Sequence, residues 1–141
     1  LFHIPTKSKD DNYNLTDLPD GEVYEIDCLT GAFMFIRGKA LDDAGLLDET
    51  FFMYGEDIDL CYRIKQAGWK IVYYGKSSIT HLKGASSKKQ KNKLIYEFYR
   101  AMYIYYKKHH AHESFFLINI VVYLGIALLC ILKLFLNLFK K

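Results

Sequence analysis

Hydrophobic spacing changes character several times along the chain. Residues 5–22 are polar and rich in turn formers, and they read as a surface loop. The run Val23-Tyr24-Glu25-Ile26-Asp27-Cys28-Leu29 alternates in the manner of a strand. Gly31-Ala32-Phe33-Met34-Phe35-Ile36-Arg37 is a second apolar run of strand length, with glycines on both sides. Lys39–Ala44 suits a short helix closed by Gly45. From Glu56 to Gly68 the spacing becomes helical. Leu60, Cys61, Ile64 and Ala67 share one face, acids fill the first turn, and Gly68 sits where a helix commonly ends in the left-handed conformation. Trp69–Tyr74 is rich in β formers, and Ile79-Thr80-His81 follows it. The order strand, strand, helix, strand predicts an α/β fold.

Beyond residue 88 the pattern is helical throughout. Residues 88–110 are basic and amphipathic, with Leu94, Ile95, Phe98, Met102 and Tyr105 on one stripe. From Phe115 to Leu132 there are 18 residues interrupted only by Asn119 and Gly125; continuing through Lys133 and Asn137 to Phe139 gives 25. That length meets the roughly 17–25 residues a spanning helix needs. The polar interruptions leave an interfacial or re-entrant helix open as well. Lys107, Lys108, Lys140 and Lys141 flank both ends, so the positive-inside rule gives no single orientation. Association with a membrane is the expectation, at its cytoplasmic face.

At 141 residues the chain suits one domain or part of one, and 25 % charged residues with two prolines exclude a disordered polymer. The net charge of +3 conceals a polarity: residues 1–63 hold five basic and 14 acidic groups, residues 64–141 hold 14 basic and two acidic. A basic half of this kind suits anionic phosphate or a membrane surface. It does not call for nucleic acid, because the basic residues from Lys83 to Lys108 are interleaved with an apolar stripe. Cys28, Cys61 and Cys130 are widely separated and odd in number, so reduced thiols are expected. The chain opens on Leu1 without a signal-peptide pattern, and we read it as a piece of a longer protein.

The densest polar cluster is Glu56-Asp57-Ile58-Asp59, directly after Phe51-Phe52-Met53-Tyr54 and Gly55. Acids at a helix start cap it and complement its dipole, by about 0.3–1 kcal/mol each. A carboxylate among aromatics is equally placed to act as a general base. Asp59 falls on a different helical face from Asp57, so the two are expected to serve different ends. His81, after a predicted strand, can be structural or can offer one imidazole nitrogen to a divalent ion. His109, His110 and His112 read as polar flanking residues ahead of the apolar segment, and Lys88–Lys93 as a solvated face or a phosphate attractor.

Taken in order, Gly31–Arg37, Gly45–Tyr54, Glu56–Arg63, Ala67-Gly68-Trp69 and His81 resemble the C-terminal half of glycosyltransferase family 2 over roughly residues 23–110. The likeness is nearest to the rhamnosyltransferase-like members that build bacterial surface polysaccharides. It implies part of a GT-A (Rossmann-like) fold, a nucleotide-sugar donor, and inverting transfer of a sugar such as rhamnose to a hydroxyl of a surface-polysaccharide glycan or lipid-linked acceptor. It assigns Asp57 as general base and Glu56 to the acceptor pocket. Gly31, Ala32, Tyr54 and Trp69 are assigned to the donor and acceptor cleft, and His81 to a divalent metal site holding Mg or Mn. The family's Asp-x-Asp metal motif belongs to its nucleotide-binding half and is absent here. Asp57-Ile58-Asp59 has that spacing but belongs to the Glu-Asp helix.

The expected organisation is therefore an acceptor-side portion of a GT-A domain over 1–87, a basic amphipathic helix over 88–112, and a membrane-associated or transmembrane helix over 113–141. Such a half-domain should be inactive alone. The competing reading, from a different class, is a non-catalytic membrane-bound adaptor that binds a partner through an exposed sheet edge.

Overall fold

The computed structural model describes residues 21–80 and 91–139. The expected loop over 5–20, His81, Lys88–Gln90 and the terminal lysines Lys140 and Lys141 lie outside the described residues. The elements run β1 (Val23–Ile26), α1 (Gly38–Ala44), α2 (Glu56–Gln66), β2 (Ile71–Tyr74), α3 (Lys91–His109) and α4 (Phe116–Leu138). They fall into two compact units. One draws on residues 1–46 and 60–81, the other on 47–59 and 82–141, so the division passes through α2.

In the first unit β1 and β2 pair antiparallel, with Val23 opposite Tyr74 and Ile26 opposite Ile71. Alternation along β1 turns Tyr24 and Ile26 inward, where they meet Leu60, Cys61 and Ile64 of α2 and Ile71 of β2. Leu60, Cys61 and Ile64 are the helical face read from the sequence, now packed on the strands; Ala67, expected to share it, lies beyond the last turn of α2 and is exposed. α2 ends at Gly68, whose φ of 84° suits a residue without Cβ. The Gly68 N–H donates to Lys65 O at 3.0 Å and the Trp69 N–H to Ile64 O at 3.1 Å. These two bonds are a Schellman closure, and Trp69 packs against the same core as Ile64. Arg63 closes α1 in turn: its guanidinium donates to Ala44 O, and to Leu46 O at 2.8 Å.

Residues 31–37 depart from expectation. The segment is turn and irregular chain, not a strand. The alternation is real, since Met34 and Ile36 pack on the core while Phe33 and Phe35 are 62 % and 97 % exposed. Among the described residues, however, only β1 and β2 form a ladder, and a strand exists only where a neighbour takes its backbone hydrogen bonds. Cys61 is buried, Cys28 and Cys130 are half-buried, and no disulfide joins them.

In the second unit α3 and α4 form an antiparallel helical hairpin. Tyr103 and Tyr123 stack at 5.1 Å, and at the far end Asn137 Nδ2 donates to Asn92 Oδ1 at 2.6 Å. Asn119, which interrupts the apolar run, closes the corner: it accepts from the Tyr106 hydroxyl at 2.7 Å and donates to Ala111 O at 2.8 Å. The α3 stripe is only partly covered, because Phe98 and Met102 remain 49 % and 41 % exposed while Ala101 is buried. α4 is long and apolar enough to cross a membrane, by length and composition.

Candidate active site

The aromatic stretch before α2 is shaped by the second unit. Asp48 accepts from the Thr50 N–H at 2.9 Å and the Thr50 hydroxyl at 2.7 Å, which turns the chain and sends Phe51 inward. Tyr54 and Gly55 both have left-handed backbones, with φ of 69° and 87°. A tyrosine in that region is strained, and strain of this kind collects at functional sites. At Gly55 a Cβ would lie 3.1 Å from the Phe51 ring and 3.2 Å from Ala101 Cβ. Only glycine fits the approach, and the small Ala101 makes room for it. The Tyr54 ring meets Phe98 edge-on at 6.0 Å.

This bend delivers Glu56 and Asp57 as the first two residues of α2. Asp57 is half-buried, and its Oδ1 accepts from the Ile58 N–H at 2.9 Å. Glu56 Oε2 is buried and has no hydrogen-bond partner among the described residues. A carboxylate oxygen held from water without a donor is costly, so it fits a site that receives a donor from elsewhere.

Asp59 is different. It is fully buried, with His109 Nε2 at 2.6 Å and the Lys108 ammonium at 2.9 Å from Oδ1. Lys108 also reaches Asp48 Oδ2 at 2.6 Å, and the Tyr105 ring stacks on His109 at 4.9 Å. The last turn of α3 is thereby held to the first turn of α2 by charge. The hydrogen bond from Lys108, with those from Thr50, holds the Asp48 carboxyl well below the usual carboxylate range. Burial opposes the charge of Lys108, but its hydrogen bonds to Asp48 and Asp59 outweigh that and raise its pKa.

His109 is thus not a polar flank. It continues the α3 stripe of Phe98, Met102 and Tyr105 by one more turn, and that spacing was the available signal.

A depressed folded pKa stabilises above the unfolded value near 4, and that stabilisation is lost as pH falls toward the folded one. Asp48→Asn should therefore lower the melting temperature at pH 7, and the gap from the parent should shrink below about pH 4. Thermal melts across pH 2–7 would check this; a gap that stayed constant would show that the Asp48 charge contributes nothing.

The other assigned residues divide between the units. Tyr54, Glu56 and Asp57 come together in the second. Gly31 and Ala32 lie in an exposed turn of the first. Trp69, also in the first, is half-buried, with Arg37 over its ring at 5.8 Å and its indole N–H donating to Asp43 at 3.1 Å. Among the described residues no three His, Cys, Asp or Glu gather as metal ligands. The metal that the resemblance implies would need ligands beyond them, and His81 lies outside the described residues.

Comparison with known proteins follows the same motifs. Residues 20–97, more than half of the chain, match the glycosyltransferase like family 2. An N-acetylglucosaminyl-diphospho-decaprenol L-rhamnosyltransferase of Mycobacterium tuberculosis is 31 % identical over 83 residues, covering 59 % of this chain and 27 % of that protein. Rhamnosyltransferase WbbL of Escherichia coli K12 is 36 % identical over 63 residues, covering 43 % and 24 %. The chain thus spans about a quarter of the length of the curated relatives it matches. No solved structure matches it. The bend-and-helix motif and both relatives agree: the chain belongs to glycosyltransferase family 2, on its rhamnosyltransferase-like side.

Proposed function

We propose that residues 47–59 form the acceptor side of an inverting glycosyltransferase of GT-A fold. It moves a sugar, rhamnose by likeness to the relatives, from a nucleotide-sugar to a hydroxyl of a lipid-linked or surface-polysaccharide acceptor. The observation that carries this reading is the strained Tyr54-Gly55 bend, which sets a half-buried Asp57 beside the unpaired oxygen of Glu56. Asp57 takes the proton of the acceptor hydroxyl as its oxygen attacks the anomeric carbon from the side opposite the leaving group. The bond from that carbon to the diphosphate oxygen breaks, and the nucleoside diphosphate departs with the electron pair. Glu56 accepts a second hydroxyl of the acceptor sugar and orients it.

Gly31, Ala32 and Trp69 line the cleft on the strength of the resemblance alone. The nucleotide is held by a portion corresponding to the unmatched three quarters of the relatives, and any divalent ion is completed there, with His81 as this chain's contribution. The enzyme works at the cytoplasmic face of the membrane on its lipid-linked acceptor, a reading supported by the length and apolar composition of α4.

The test is an assay of membranes from cells expressing the full natural chain. They would be given a panel of nucleotide-linked sugars and polyprenyl-diphosphate N-acetylglucosamine. A longer lipid-linked glycan with inverted anomeric configuration is expected from one donor. No product from any donor, with the protein present in the membranes, would leave the non-catalytic adaptor as the better reading.

A further inference from the structure

We propose that α4 lies in the plane of the membrane surface rather than across it, with α3 between it and the Glu56-Asp57 bend. The inference rests on the membrane part of the proposed function and goes further by fixing the manner of attachment. At 23 residues α4 is about 35 Å long, enough to span. Its partner α3 cannot follow it. The pairs Tyr106–Asn119, Tyr103–Tyr123 and Asn92–Asn137 run from one end of α4 to the other. In that register Arg100 lies level with about Leu128, near the middle of α4, and Glu97 pairs with Arg100 at 3.2 Å. A spanning α4 would carry this ion pair toward the bilayer centre, where charges are strongly disfavoured. It would carry irregular backbone as well, since Arg100 donates to Thr50 O at 2.9 Å and Ala101 abuts Gly55. Lipid-facing irregular backbone is not tolerated at that depth.

The sequence of α4 agrees. At about 100° per residue, Asn119, Lys133 and Asn137 fall within a sector of roughly 40°. Asn119 and Asn137 bond toward α3, and the remaining circumference is apolar and exposed. The hairpin as a whole is amphipathic: α4 is its apolar layer, and α3 carries its charged residues beside a half-exposed aromatic stripe. This also accounts for lysines at both ends of the apolar segment, because an in-plane helix keeps both ends on one side. The excess of basic residues after residue 63 suits anionic headgroups. The bend would then sit about one helix diameter, some 10 Å, above the acyl boundary.

Single cysteines at His112 and Phe139, exposed positions flanking α4, would be placed in the full natural chain with its own cysteines replaced. Circular dichroism and membrane pelleting would establish that each variant is folded and bound. A membrane-impermeant maleimide is then applied to spheroplasts and to inside-out vesicles. Labelling of both positions in the same preparation, and its loss in the other, is expected. Labelling of one position in each preparation means a spanning helix and overturns the proposal. Protein that stays in the supernatant, with α4 covered by a second copy, overturns it together with the membrane part of the proposed function.

Discussion

Asp57→Asn in the full natural chain is expected to lower transfer by about 10²–10⁴-fold, the range for loss of a general base. The substitution isolates proton transfer. Asparagine keeps the shape and an oxygen that can still accept the Ile58 N–H, so the helix start survives. Stability should change by no more than about 1 kcal/mol, the range for one acid against a helix dipole. The loss should appear in kcat, with KM for the acceptor little changed, because the base acts in the transition state and not in binding. Glu56→Gln supplies the contrast. Its orienting role predicts a raised acceptor KM, and neutralising a carboxylate with an unpaired buried oxygen should not cost stability. Near-parental transfer by Asp57→Asn, with membrane attachment intact, would remove Asp57 from the mechanism and favour the adaptor reading.

Much of this arrangement was legible from residue spacing, and the limits are physical. α2, α3, α4 and both strands follow from local periodicity, because each buries a face whose pattern lies within one short segment. Gly68 was readable as a helix stop for the same reason: the need for a left-handed residue is local. Residues 31–37 have the alternation of a strand and no ladder, since pairing is decided by a neighbour that the segment does not encode. The site shows the same split. Glu56 and Asp57 stand out because an aromatic run and a glycine precede them. Asp59 looks like a third capping acid, and its partners Lys108 and His109 lie 49 and 50 residues away. Only the continuation of the α3 stripe into His109 hinted that the polar flank turns inward.

That hidden contact gives the largest expected effect on stability. Asp59→Ala should destabilise the full natural chain by about 1–3 kcal/mol, the cost of taking the acceptor from buried hydrogen-bonding groups. Asp59 is 0 % exposed and meets both Lys108 and His109, so alanine would leave the Lys108 ammonium with Asp48 alone among the described residues and take this carboxylate from His109 Nε2. Asp59→Asn keeps an acceptor and should cost less. Replacing the whole group, with Asp59→Leu, Lys108→Met and His109→Leu together, should recover much of the loss, because apolar residues carry no desolvation penalty. Denaturant midpoints of the four proteins decide the matter, and a loss below about 1 kcal/mol for Asp59→Ala would mean that water reaches the cluster. The consequence for chemistry follows from position. Asp59 is two residues from Asp57 on the same first turn, so the group that ties this turn to α3 also fixes where Asp57 lies over the hairpin. If the hairpin rests on the membrane, the buried cluster is what sets the height of the carboxylate above the lipid, and the triple variant should regain stability while losing part of kcat.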